Sequence, residues 1–66
     1  MAELRNRIKF FRVQRELSQE ELAKLVGVRR ETIVHLEAER YNPSFKLAYD
    51  LARVFQVSLE ELFWYE

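Results

Sequence analysis

SQEELAKLVGVRRETIVHLE, residues 18–37, carries the only glycine of the chain between two apolar-periodic runs. Ser18 is followed three residues later by Glu21, a spacing that lets the hydroxyl accept a backbone N–H of the first helical turn while the carboxylate reaches back to the Ser amide. Leu22, Leu25 and Val26 then supply an inward face, and a helix is expected from Ser18 to Gly27. Gly27 suits a helix end at positive φ, where any Cβ costs free energy. A shorter helix is expected from about Arg30 to Ala38, with Ile33 and Leu36 inward. Ala23 is small where the two helices would cross. Ile33, six residues after the glycine, would fill the angle between them.

Outward from this pair, Leu4, Ile8 and Phe11 recur at helical spacing and predict a first helix from about Glu3 to Glu16, with Phe10 and Val13 off the stripe. On the other side, Pro43 disfavours helix at Asn42, and Ser44 caps a fourth helix over 44–56 that carries Leu47, Ala48, Leu51, Ala52 and Phe55. Ser58 with Glu61 repeats the capping pattern. Leu59, Leu62 and Phe63 then form a short fifth helix ending in WYE. No period-two alternation, internal repeat or low-complexity tract is present in the sequence. The expected fold is all-α, five helices in a single domain over 1–66, with an aromatic tail at 63–66.

Sixty-six residues, 48% of them hydrophobic, allow one core, and a chain of this size buries only about 60% of its unfolded surface. The absence of cysteine excludes a disulfide framework and a thiolate metal site. Charges threaded through MAELRNRIKFFRVQRE leave no signal-peptide core, and no apolar run reaches membrane-spanning length, so a soluble, cytoplasmic protein with no membrane partner is expected. The net charge of zero is segregated. Through Lys46 there are ten Lys or Arg against seven acids, +3, and from Leu47 onward one Arg against four acids, −3. Such an arrangement presents the N-terminal part to a polyanion, although scatter in a short chain produces the same count.

Two helices joined by a tight glycine turn, the second short and polar outside, make the helix-turn-helix arrangement. SQEELAKLVGVRRETIVHLEAERYNPS resembles the Cro/CI-type, or lambda-repressor-like, helix-turn-helix domain, in register from about Ile8 to Phe63. The resemblance implies a five-helix domain that binds operator DNA, commonly as a dimer. A helical wheel of about 100° per residue with Ile33 inward turns Glu31 and His35 outward and puts Thr32 and Val34 on the flanks, with Arg30 at the N-terminal tip. In the family these positions enter the major groove. Arg pairs bidentately with guanine, Glu accepts from cytosine, Thr and Val contact a thymine methyl, and His donates or accepts. Arg30, Glu31, Thr32, Val34 and His35 are therefore the candidate base-reading residues, against the plainer account of a solvated face.

The family places the Gln that opens the second helix on the DNA backbone, a position held here by Gln19; the free N–H groups of a helix start favour phosphate. Arg29, Arg40, Tyr41, Asn42 and Lys46 are further phosphate candidates. Glu37 falls on the inner side of its helix, where an unpaired carboxylate is costly; the family sets an Arg of the first helix against it, here Arg12. Arg29 stands where the family usually has a capping Ser or Thr and cannot cap. Gln56 stands where a turn glycine is usual and is strained if its φ is positive. Glu31 repels phosphate and would act by rejecting sites without a cytosine amino group, unless it pairs with Arg30 or His35.

His35 is the only histidine; Glu31 and Glu39, four residues either side, leave a zinc site short of ligands, so no metal, cofactor, small-molecule ligand or catalytic residue is expected. Three consecutive aromatics at the chain end suggest an interface. Leu59, Leu62, Phe63, Trp64 and Tyr65 are expected to form a symmetric homodimer interface, the competing account being that Trp64 and Tyr65 fold back on Phe10 and Val13. The function expected is a sequence-specific DNA-binding regulator, a repressor on a palindromic operator. Its rival is a protein-interaction module of the same fold, antitoxin-like or an accessory subunit.

Overall fold

The computed structural model describes residues 3–66. Its elements run β1 (Leu4–Asn6), α1 (Ile8–Gln14), α2 (Gln19–Val26), α3 (Arg30–Glu37), α4 (Phe45–Phe55), α5 (Leu59–Leu62) and β2 (Phe63–Tyr65). Ile8, Leu22, Ile33, Leu36, Leu51, Phe55 and Leu62 are buried to within 1% exposure, so all five helices contribute to one core. No helix among the described residues is long and apolar enough to cross a membrane.

The termini depart from the expected all-helical pattern. The first helix starts at Ile8, not near Glu3, because Leu4–Asn6 pairs antiparallel with Phe63–Tyr65, Leu4 opposite Tyr65 and Asn6 opposite Phe63. Glu3 and Glu66 exchange backbone hydrogen bonds of 2.9 Å in both directions, and Arg7 N donates to the Leu62 carbonyl at 3.0 Å. Asn6 Oδ1 accepts from Ile8 N at 3.1 Å and so starts α1. The fifth helix stops at Leu62, and Phe63 is extended at φ −127°, ψ 143°. Trp64 and Tyr65 do not fold onto Phe10 and Val13, which remain 59% and 56% exposed. Trp64 instead lies under the Arg7 guanidinium, 4.8 Å from its ring centroid, where the cation meets the negative face of the ring. Leu25, expected inward, is 59% exposed; Ala23 and Leu22 take the inner face.

Four helices end alike. Leu17 N, Val28 N, Arg40 N and Val57 N each donate at 3.0 Å to a carbonyl five residues back, those of Arg12, Ala23, His35 and Ala52. This bond needs a left-handed residue before the donor. Gly27 (φ 72°) supplies it after α2, and Glu16 (56°), Glu39 (59°) and Gln56 (58°) supply it elsewhere despite their Cβ atoms. The capping boxes expected at Ser18 with Glu21 and at Ser58 with Glu61 are both formed, and Ser44 Oγ accepts from Leu47 N at 3.1 Å.

Candidate nucleic-acid interface

α3 is divided lengthwise. Ile33 and Leu36 are 0% and 1% exposed, while Arg30, Glu31 and His35 are exposed and Thr32 and Val34 half-buried. Period 3.6 dictates this division once Ile33 is buried in the core that also holds Ala23 of α2. Among the described residues Glu31 forms no ion pair with Arg30 or His35, so the outer face carries unpaired polar groups. The N-cap of α3, Arg29, has an extended backbone (φ −79°, ψ 154°) and no side-chain cap bond, leaving the first-turn N–H groups of α3 without a side-chain acceptor.

Beneath that face lies a network centred on Glu37, whose side chain is 7% exposed. Arg12 Nε donates to Glu37 Oε2 at 2.7 Å and Nη2 to Oε1 at 3.2 Å, and Nη1 donates to the Leu17 carbonyl at 2.8 Å. Gln19 Nε2 donates to the same Oε1 at 3.2 Å. One guanidinium thus fastens α1 to α3 and to the turn that follows α1, and α2 joins through its first residue, Gln19. The Gln19 amide keeps a second hydrogen for another acceptor.

The other phosphate candidates, Arg40, Tyr41, Asn42 and Lys46, are exposed around the loop between α3 and α4. Lys46 Nζ donates to Asp50 Oδ2 at 2.7 Å with its side chain 85% exposed, a bond solvent competes with. The candidate interface residues at the chain end fare unequally. Leu62 is fully buried in the chain's own core and has no surface to offer a partner. Tyr65, 71% exposed, and Phe45, 73% exposed, line one groove together with Leu4, Ala48, Leu59 and Phe63.

Sequence reading missed the polar cluster where β1 meets the end of α3. Arg5 Nη1 donates to Glu39 Oε1 at 2.7 Å, Asn6 N to Glu39 Oε2 at 3.2 Å, and Asn6 Nδ2 to the Leu36 carbonyl at 2.9 Å. The Arg5 hydrogen bond holds the Glu39 carboxyl below its ordinary pKa, and Glu39 raises that of Arg5. Only Asn6, two residues before Ile8, carried a signal, as an amide able to cap a following helix.

The sequence pattern of the helix-turn-helix family matches residues 8–62. Over 63 residues the chain is 59% identical to an HTH-type transcriptional regulator of Archaeoglobus fulgidus, covering 96% of this chain and 89% of that protein. It is 44% identical to one of Methanocaldococcus jannaschii, covering 96% of each. Among solved structures, the restriction-modification controller protein C.AhdI from Aeromonas hydrophila matches at TM-score 0.75 with 31% identity, over 83% of this chain and 80% of that one. A Bacteroides fragilis protein at 23% identity has the same fold, with TM-score 0.80 over 91% and 97% of the two chains. The divided α3, the glycine turn and these relatives together make the chain a member of the helix-turn-helix family of transcriptional regulators, of the Cro/CI type.

Proposed function

We propose that the protein is a sequence-specific DNA-binding repressor that occupies a palindromic operator as a homodimer. The observation that carries this reading is the outer face of α3, where Arg30, Glu31, Thr32 and His35 form a polar surface flanked by Val34 on a helix whose opposite side buries Ile33 and Leu36. In the major groove Arg30 would pair with guanine, Glu31 would accept from a cytosine amino group, and Thr32, Val34 and His35 would contact neighbouring base edges. Gln19 and Arg29 at the helix starts, and Arg40, Tyr41, Asn42 and Lys46 in and after the loop, would grip phosphates and set the docking angle. A twofold pairing through Leu59, Phe63, Trp64 and Tyr65 would space two such helices by about 34 Å, one turn of the duplex.

Selection of bound sites from a random duplex pool, followed by fluorescence anisotropy at several salt concentrations, tests the reading. A palindromic consensus and an affinity that falls steeply with salt are expected. Salt-independent or absent binding would favour the rival reading, a protein-interaction module of the same fold. Sedimentation at micromolar concentration tests the dimer separately, and a strict monomer would remove it.

A further inference from the structure

One of the four matching helix ends lacks a part. After α1, α2 and α4 the residue following the left-handed position is Leu17, Val28 or Val57, each half-buried against the core. That apolar contact is the usual companion of the long hydrogen bond at a helix terminus. After α3 its place is taken by Arg40, which is exposed. The terminal strand holds this end instead. Asn6 spans two helices, donating from Nδ2 to the Leu36 carbonyl at 2.9 Å while Oδ1 accepts from Ile8 N at 3.1 Å. Glu39, the left-handed residue, accepts from Arg5 Nη1 at 2.7 Å and from Asn6 N at 3.2 Å.

Resting on the DNA-binding reading of α3, we propose that Asn6 and Glu39 are positioning residues of the interface: they clasp the C-terminal end of α3 to β1 and so leave Arg40 free of packing duty, held beside the reading helix to meet a backbone phosphate. An apolar residue at position 40 would anchor the helix end by itself but would bring no charge to the duplex. With Arg40 there, anchorage passes to a strand remote in sequence. Docking of α3 then depends on residues outside the two helices of the motif.

The test uses the full chain and a labelled duplex carrying its selected site. Glu39→Gly removes the clasping carboxylate yet supplies the residue that adopts positive φ freely, so the fold should be retained. Asn6→Asp keeps the acceptor for Ile8 N and loses the donor to Leu36. Both variants should bind about tenfold more weakly, with a salt slope shallower by about one. Arg40→Ala should cost about tenfold in the wild-type background and less than about threefold on top of Glu39→Gly, because the clasp acts through Arg40. A purely structural role would lower melting temperature and leave that coupling at zero. Variants that bind with wild-type affinity and slope, or additive effects of Glu39→Gly and Arg40→Ala, would overturn the clasp alone. A wild type that binds no duplex would overturn the DNA reading and the clasp with it.

Discussion

Replacing Arg12 by alanine should cost about 3 kcal/mol of stability. The substitution removes three donors at once, Nε and Nη2 from Glu37 and Nη1 from the Leu17 carbonyl. It leaves the Glu37 carboxylate, 7% exposed, with the Gln19 amide at 3.2 Å as its remaining side-chain donor. Stranding one member of a buried pair costs about 3–5 kcal/mol; the surviving Gln19 bond and the rim position of Arg12, 12% exposed, place this site at the lower end. A domain of this length has roughly 3–10 kcal/mol in total, and each kcal/mol moves the melting midpoint by about 4–8 °C. Circular dichroism at neutral pH should therefore show Arg12→Ala melting at least about 12 °C below wild type. The double variant Arg12→Met with Glu37→Met separates a stranded charge from lost contact. With no charge left to strand, it should melt above Arg12→Ala. An Arg12→Ala melt within about 3 °C of wild type, or a double variant below the single, would refute the reasoning.

Other perturbations probe the helix ends and their carboxylates. Gln56 is left-handed at φ 58°; Gln56→Gly removes a strain of about 1–2 kcal/mol, offset in part by the looser unfolded chain, and should stabilise the fold by a net of about 0.5–1 kcal/mol, read as a higher denaturant midpoint at unchanged slope. Arg29→Ser gives α3 the side-chain cap it lacks, and should stabilise the free protein by about 1 kcal/mol while weakening duplex binding, with both read on the same sample. Glu39, held by Arg5, and Glu21 and Glu61, each held first by the backbone amide of its capping serine, have pKa values lowered from 4.5. A carboxyl depressed on folding contributes stability that is complete above its unfolded pKa and is lost as the pH falls through the folded one. Melts below about pH 5 should therefore fall in temperature, and the triple Gln variant should flatten that fall.

α3 and the helix before it are legible in the sequence because their signals are local. Ser18 with Glu21, Gly27 and the Ile33–Leu36 spacing each act within a few residues, and a divided face follows from helical period alone. The Arg12–Glu37 pair follows from family likeness together with the cost of an inward carboxylate that lacks a partner. The Glu39 clasp gave no such warning. Glu39 lies beyond the periodic stretch of its helix, and its partners are 33 and 34 residues earlier. Glu16 and Glu39 took left-handed conformations that a glycine would have announced.

The terminal sheet shows most plainly where local reasoning stops. Leu4 sits at helical spacing from Ile8 and Phe11, and Phe63 from Leu59, so each terminus alone reads as helix. Strands of three residues are too short to display a period of two. They form because the fold brings the chain ends together, where Glu3 and Glu66 satisfy one another's backbone groups and Trp64 finds Arg7. Short-range chemistry specified the elements whose hydrogen bonds and apolar spacing close within a turn or two: the five helices, the serine caps at Ser18, Ser44 and Ser58, the Gly27 turn, and the face of α3. Three features hang on partners far along the chain and follow only from the closed fold: the strand at each end, the burial of Leu62 that removes it from any interface, and the bonds joining the end of α3 to β1. Those bonds join groups that come into reach only after the core has closed.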